Sequence, residues 1–182
     1  YILHAIAYTD GGELQTGHLS IIVFSVLIGG MVHIISTNGG MNGIVNKVSQ
    51  LATSGRRSQL ATMLMGCMIF FDDYANTLIV GNTLRPVTDK FKVSREKLAY
   101  IVDSTAAPIA AIALITTWIG AELGYIRDGL AGVGLATEQS EYLLFLQSLK
   151  YSYYPVLTII FIFMLIWMKR DFGPMFKAEN RA

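Results

Sequence analysis

The sequence has few charged residues, a single cysteine and no cluster of His and Cys, and each shortage excludes a class of protein. Asp, Glu, Lys and Arg make up 15% of the 182 residues, whereas soluble domains carry about 25%. The lone Cys67 excludes a disulfide framework and a cysteine metal site. A net charge of +1 gives no reason to expect nucleic acid as a partner. Together with 53% hydrophobic residues, this is the composition of a membrane protein.

The apolar residues fall into long runs. Three of them, 19–36, 99–119 and 153–168, approach the roughly 20 residues that a transmembrane helix needs. Segment 41–53 has apolar residues at helical spacing with polar ones between them, which predicts a helix lying along the membrane interface. The chain begins at Tyr1 rather than at a methionine, and we expect an internal fragment of a larger multi-pass protein. The predicted fold class is an all-α membrane protein.

The distribution of Lys and Arg predicts how the contested block 58–84 enters the membrane. If the block is a re-entrant hairpin, segments 37–57, 85–98 and 169–182 share one side and carry twelve of the fourteen basic residues. If it is one spanning helix, the split becomes nine to five. Basic residues accumulate on the cytoplasmic side of a membrane, so we expect a hairpin with these three segments in the cytoplasm. The expected location is a membrane, with the lipid bilayer as a partner.

Polar residues interrupt two of the apolar runs at a similar depth. The stretch "DDYANT" at 72–77 falls at the tip of the predicted hairpin, where non-helical backbone is buried in protein or lines a cavity. The stretch "DST" at 103–105 precedes Pro108, which lacks an amide donor and predicts a broken transmembrane helix with its break near 103–108. Discontinuous helices that meet near the midplane form the ion sites of secondary transporters. The candidate ion- and proton-binding residues are Asp72, Asp73, Asn76, Thr77, Asp103, Ser104 and Thr105.

The side chains at these two breaks suit a hard cation and a proton. Hard cations such as sodium bind oxygen ligands. The expected sodium ligands are Asp72, Asp73, Asn76 and Thr77. Burial favours the protonated form of a carboxyl group and a bound cation favours the ionised form, so the two ions can compete for the same oxygens. Asp103 is an additional or alternative proton carrier. No cofactor is expected, since sodium ions and protons are the transported species.

Structural roles remain alternatives at the same positions. The two carboxylates at 72 and 73 could cap the hairpin turn, because aspartate accepts hydrogen bonds from backbone amides at a helix start. Asn76 and Thr77 could satisfy the backbone of the turn, and residues 103–105 could cap a half-helix that follows them. Gly66 is expected to allow close packing of helices rather than to take part in chemistry.

Residues 66–110, "GCMIFFDDYANTLIVGNTLRPVTDKFKVSREKLAYIVDSTAAPIA", resemble the NhaC-type sodium/proton antiporter family. The tail "RDFGPMFKAENRA" is also similar to that family's sequence after the corresponding helix. The family belongs to a wider group of ion transporters built from two inverted repeats, each with a re-entrant hairpin and a broken helix. The resemblance implies that this chain is about one repeat, with the missing second half of the same protein as its partner. A homodimer is a further possible partner arrangement.

The residues and the resemblance together imply secondary active transport rather than enzyme catalysis, with sodium exchanged for protons by alternating access. The alternative is sodium-coupled transport of a small carboxylate or amino acid, as in malate/lactate exchange. A basic side chain in the cavity would favour that alternative, and neither polar break contains one. An intramembrane aspartyl protease needs two aspartates that share a proton and commonly a GxGD element, which is missing. A purely structural subunit does not explain costly polar groups at two breaks.

Overall fold

The structure is a computed structural model that describes residues 50–134 and 139–182, together with residues 22, 23, 26, 27, 30, 31, 33, 34, 37–39, 43 and 47. All regular secondary structure in this described part is helical, which confirms the predicted all-α class. Most of the predicted helices 19–36 and 41–53 lies outside the described residues. The helices whose bounds are described are α1 (Gly55–Met68), α2 (Asp73–Lys90), α3 (Arg95–Ala110), α4 (Ile119–Gly132), α5 (Glu141–Ser148), a 3-10 helix (Leu149–Tyr151), α6 (Tyr153–Met168) and α7 (Gly173–Arg181).

The described helices belong to two compact units. One unit, within residues 35–116 and 152–182, contains α1, α2, α3, α6 and α7, and we call it the hairpin unit. The other unit contains α4, α5 and the 3-10 helix. In that unit Arg127 Nε donates to the carboxylate of Glu141 at 2.9 Å, and Phe145 is buried. The candidate residues at both polar breaks lie in the hairpin unit.

Short polar side chains fix the starting points of α1, α2 and α3. Ser54, Asp72 and Ser94 each accept, through a side-chain oxygen, the backbone amide of the residue three positions later, at 3.3, 2.7 and 3.1 Å. Each bond satisfies an amide that the first helical turn leaves without a partner. Caps of this kind stabilise a helix by about 1 kcal/mol each. Asp72 therefore determines where α2 begins.

The helices α1 and α2 form an antiparallel hairpin. Their far ends meet, since the Cβ position of Gly55 lies 3.2 Å from the carbonyl oxygen of Phe91. They contain 14 and 18 residues and are therefore about 21 Å and 27 Å long. The turn occupies residues 69–72, earlier than the predicted tip at 72–76, because Asp72 caps α2 and the residues after it are already helical.

The central helix of the hairpin unit is α3, which is packed on two sides. The first buried apolar cluster joins the hairpin to α3 and consists of Ala52, Ala61, Met65, Ile69, Val80, Leu84, Leu98 and Val102. The second joins α3 to α6 and consists of Ile101, Ile162 and Ile166. Burial of each Val, Leu, Ile or Met side chain contributes about 1.5–3 kcal/mol. These two clusters fix how α3 is rotated about its axis.

The helix break predicted at 103–108 is wrong, because α3 continues through Pro108 and ends at Ala110. Proline removes one amide hydrogen bond. That loss does not end a helix whose buried face is packed against two neighbouring elements, since tertiary packing overrides local propensity. The irregular segment comes later, at 111–118, before α4 begins. The predicted block 99–119 thus contains most of α3 followed by this irregular segment.

A helix that crosses a bilayer needs about 20 residues that are predominantly apolar. No individual helix in the described part of the chain meets both requirements. The successive segments Glu141–Tyr151 and Tyr153–Met168 meet them only when they are taken together. Within this pair, α6 has the same bounds as the predicted apolar block 153–168.

Candidate functional site

Three helices of the hairpin unit meet at the turn between α1 and α2. Gly66 lies in the last turn of α1, Asn76 in the first turn of α2 and Thr105 in the second half of α3. We call these three residues the polar junction. Asn76 and Thr105 are completely buried. Because a buried polar group is costly without hydrogen bonds, the partners of these side chains indicate what the junction can do.

Asn76 holds the end of α1 through its amide nitrogen. Nδ2 donates to the carbonyl oxygens of Gly66 at 2.6 Å and Ile69 at 2.8 Å. Both carbonyls belong to the end of α1, where helical geometry leaves carbonyl groups without an intrahelical partner. The other polar atom of the side chain, Oδ1, is buried and has no hydrogen-bond partner among the described residues. The hairpin turn therefore contains an unused acceptor oxygen that suits a cation or a donor group.

Gly66 allows α3 to approach α1 closely, as the sequence predicted. A Cβ atom at Gly66 would lie 2.7 Å from the Cβ of Thr105 and closer still to its Oγ1. Thr105 Oγ1 is hydrogen-bonded within its own helix, to the carbonyl oxygens of Ile101 at 2.8 Å and Val102 at 3.0 Å. The hydroxyl oxygen thus lies against Gly66 while its proton is directed to its own helix. The expected packing role of Gly66 is confirmed.

The adjacent carboxylates lie at the start of α2 and are half-buried. Asp72 is the cap of this helix, with Oδ1 2.7 Å from the amide nitrogen of Ala75. Asp72 therefore has the helix-capping role that the sequence left as an alternative. Asp73 occupies the first helical turn, where the helix dipole favours a negative charge. Asp73 and Asn76 are three residues apart and are neighbours on the helix surface.

Three predicted site residues do not reach the polar junction. Thr77 and Asp103 are exposed, and Ser104 is half-buried and hydrogen-bonded to Tyr100. Asp103 precedes Thr105 by two residues, which rotates it about 200° around the helix axis. It therefore lies on the opposite face of α3 from the junction. The packing of α3 thus divides the predicted "DST" group, and only Thr105 joins the hairpin turn.

Sequence reasoning missed a buried ion pair near the start of α3. Lys97 is 1% exposed, and its ammonium group pairs with the carboxylate of Asp171, which precedes α7. The sequence did contain a signal, since Lys97, Ile101 and Thr105 follow one another at intervals of four and share one face of the helix. The distribution of Lys and Arg gives no sign of this ion pair, because Lys97 is only one of the twelve basic residues on the predicted cytoplasmic side. Its partner is 74 residues away, and no local pattern identifies it.

The described residues 50–57, 85–98 and 169–182, which belong to the three basic segments predicted to share one side, lie in the hairpin unit. The Lys97–Asp171 pair joins the start of α3 to the segment before α7. The amide of Ser94 also donates to Oε1 of Glu179 in α7, at 2.7 Å. The start of α1 lies beside the end of α2, as described above. A chain that reverses between α1 and α2 requires this arrangement, whereas one long helix over 58–84 would separate the segments.

The oxygen atoms at the turn suit an alkali cation better than a transition metal. Within the described part of the chain, no group of three or more His, Cys, Asp or Glu side chains could hold a metal ion. A cation at the polar junction would instead use amide, carboxylate and backbone carbonyl oxygens. These are the ligands of hard cations, whereas zinc and copper sites use nitrogen and sulfur.

Comparisons with known proteins identify a relative. No protein-family model matches the chain, and no solved structure matches it significantly. An uncharacterised protein of Haemophilus influenzae is 33% identical to the chain over 179 residues, which are 98% of this chain and 34% of that protein. The chain thus spans about a third of the length of this curated relative.

Proposed function

We propose that this chain is about one repeat of a bacterial inner-membrane secondary transporter of the NhaC type, which exchanges sodium ions for protons by alternating access. In this proposal α1 and α2 form a re-entrant hairpin, and residues 111–118 are the discontinuity that follows α3. Sodium binds at the turn of the hairpin. Asp72 and Asp73 exchange the proton and contribute to cation binding, while Asn76 and Thr105 supply neutral oxygens.

The observation that carries the proposal is Oδ1 of the completely buried Asn76, which has no hydrogen-bond partner in the part of the chain that the structure describes. Asp73 and Asp72 precede it by three and four residues, so the three positions lie on one side of the start of α2, within about 100° around the helix axis. An amide oxygen beside two carboxylates is a typical ligand set for a hard cation. A buried acceptor that lacks a partner costs about 1–3 kcal/mol. A bound cation would remove that cost.

The apolar surface of the hairpin unit supports a membrane location. On α6, Phe161, Phe163 and Trp167 are 49%, 44% and 61% exposed. Soluble monomers rarely expose many large apolar side chains together, and a helix with this surface fits lipid or the second half of the same protein. The length of α1, about 21 Å, is less than the ~30 Å hydrocarbon core and supports a segment that enters the membrane without crossing it.

The length of the relative supports a missing second half. About two thirds of that protein lies outside the matched region, which leaves room for a second repeat of this size. In an inverted-repeat transporter the second repeat brings its own broken elements to the same site. On this proposal the exposed side chains of Thr77 and Asp103 face the second half.

The charges at the turn favour a cation over an organic anion as the transported species. No Lys or Arg belongs to the polar junction or to the first turn of α2, within the part of the chain that the structure describes. Asp72 and Asp73 repel an anion that approaches the N-terminus of α2. Sodium-coupled carboxylate transport would therefore depend on a basic side chain from the second half.

The proposal is tested with the full-length protein in everted membrane vesicles, where a pH-sensitive dye follows sodium-dependent proton movement. Asp72→Asn removes the negative charge but keeps the helix cap, because Asn and Asp cap helices equally well. We expect it to abolish exchange while the free energy of unfolding changes by less than about 0.5 kcal/mol. Asp72→Ala also loses the cap and should cost about 1 kcal/mol of stability.

Asp89→Asn is the matched control for the charge change. Asp89 lies in the same helix, is exposed, and forms an ion pair with Arg95 at 3.3 Å, far from the turn. This variant should exchange sodium for protons at the rate of the parent protein. If Asp72→Asn and Asp73→Asn also exchange like the parent protein, the proposed site is wrong.

A further inference from the structure

A second polar feature lies at the end of the hairpin unit where α1 begins and α2 ends. It is a cavity of 610 Å³ between the start of α1, the end of α2 and the segment that joins α6 to α7. We call it the basic cavity, since its basic lining residues are Arg56, Lys92, Lys169 and Arg170. Two carboxylates, those of Asp171 and Glu179, also line it. The polar junction lies at the other end of the hairpin.

The two carboxylates offset only part of the charge of these four cations. Asp171 pairs with the buried Lys97, which does not line the cavity. Glu179 accepts the backbone amide of Ser94 at 2.7 Å. None of the four basic side chains forms an ion pair with another described residue. The cavity therefore has a surplus of positive charge, which attracts an anion.

Arg56 also presents an unused hydrogen-bond donor. Its guanidinium carbon lies 4.2 Å from the centroid of the Trp167 ring, a cation–π contact that orients the group. The Nε atom is buried and has no hydrogen-bond partner among the described residues. Arginine binds phosphate and carboxylate groups through pairs of such donors. A bound anion would satisfy this nitrogen.

The two lysines occupy backbone conformations that favour glycine. Lys92 has a φ of 56° and lies two residues after the last residue of α2, and Lys169 has a φ of 53° and directly follows the last residue of α6. Glycine is the usual residue at such a position because any side chain there is strained. The negative end of a helix dipole favours one cation at each terminus. It does not account for Arg56, whose Nε has no hydrogen-bond partner among the described residues, or for Arg170 in the same cavity.

We propose that the basic cavity binds the phosphate group of an anionic phospholipid. The phosphate would accept charge-assisted hydrogen bonds from Arg56 and from the neighbouring cations. Phe172 and Phe176 line the cavity and are 62% and 53% exposed. Exposed rings beside a cationic cavity favour a lipid over free phosphate, because the acyl chains can continue along the apolar surface of α6. Basic pockets between helices on the cytoplasmic side bind lipid headgroups in this way. The inference rests on the proposed membrane location and is independent of sodium exchange.

The test measures lipid binding to the purified full-length protein in detergent by native mass spectrometry. Phosphatidylglycerol is the anionic probe, and phosphatidylcholine and inorganic phosphate are the comparison ligands. The variant Lys92→Gly/Lys169→Gly removes two charges and relieves two strained backbone positions, so its unfolding midpoint should not fall. We expect its affinity for phosphatidylglycerol to fall about fivefold for each cation removed, or about 25-fold in total. Arg57→Gln is the matched control, since Arg57 donates to Thr53 and does not line the cavity; its affinity should be unchanged.

Three outcomes would overturn the inference. The first is unchanged phosphatidylglycerol affinity in the double glycine variant. The second is equal affinity of the parent protein for phosphatidylcholine. The third is displacement of phosphatidylglycerol by millimolar inorganic phosphate, which would identify a site for free phosphate. Sodium-dependent proton movement is measured separately. If the parent protein binds phosphatidylglycerol selectively but does not exchange sodium for protons, the proposed function alone is refuted. If it exchanges the two ions but fails the lipid tests above, this inference alone is refuted.

Discussion

Replacing Gly66 with alanine tests the close approach of α1 and α3 at the polar junction. A Cβ atom at this position would lie 2.7 Å from the Cβ of Thr105, whereas carbon atoms make favourable contact at about 3.5–4.0 Å. Thr105 cannot relieve this overlap by changing its rotamer, since its Cβ is attached directly to the backbone. The two helices would have to separate by roughly 1 Å.

The expected loss in the free energy of unfolding is about 1–3 kcal/mol. Overpacking a well-packed site costs about 1–3 kcal/mol. Movement of Gly66 also weakens the hydrogen bond between its carbonyl and Asn76, which contributes about 0.5–1.5 kcal/mol. The higher helix propensity of alanine offsets about 1 kcal/mol. The steric overlap therefore determines the sign of the change.

The measurement is denaturant unfolding of the full-length protein in detergent micelles. Gly81→Ala is the matched control, since Gly81 lies within α2 and its Cβ position has no neighbouring atom within 4 Å. This control should be neutral or stabilise the protein by up to about 1 kcal/mol. Thr105→Ala removes Oγ1, the atom nearest to the Cβ position of Gly66. In a double-mutant cycle, Gly66→Ala and Thr105→Ala should therefore show a coupling energy of at least about 0.5 kcal/mol. Equal stability of Gly66→Ala and Gly81→Ala would refute the reasoning.

Two further substitutions test buried polar contacts with the same unfolding measurement. Asn76→Ala leaves two carbonyl groups at the end of α1 buried and unpaired and should cost about 2–4 kcal/mol, whereas Thr77→Ala, at an exposed position, should change stability by less than about 0.5 kcal/mol. Lys97→Met leaves the carboxylate of Asp171 without its partner and should cost about 3–5 kcal/mol, most of which Lys97→Met/Asp171→Leu should recover. Arg95→Met is the control, because it breaks the exposed pair with Asp89 and should cost less than about 1 kcal/mol. If Lys97→Met lowered the free energy of unfolding no more than Arg95→Met, the buried Lys97–Asp171 pair would be contradicted.

Several features follow from the sequence because they depend on neighbouring residues. The apolar run 153–168 has the length and hydropathy of one helix, and α6 has those bounds. The distribution of basic residues predicted a chain reversal within 58–84, and the structure has an antiparallel helical hairpin there. A small residue at Gly66 predicted close helix packing for the same local reason. A capping role was an alternative for Asp72 and Asp73, and the sequence could suggest it because capping involves only the next three residues.

Other features depend on contacts between distant parts of the chain. Pro108 predicted a break, but packing against the hairpin and α6 keeps α3 helical beyond it. The rotation of α3 decides that Thr105 joins Asn76 at the turn while Asp103 faces away, although Asp103 and Thr105 belong to the same "DST" stretch. The Lys97–Asp171 pair likewise forms only when α7 folds back onto α3. Sequence by itself determined the all-helical class and the positions of polar groups along the apolar runs, since those properties are local. Only the tertiary structure decided which polar groups meet, because that depends on how each helix turns its faces toward its neighbours.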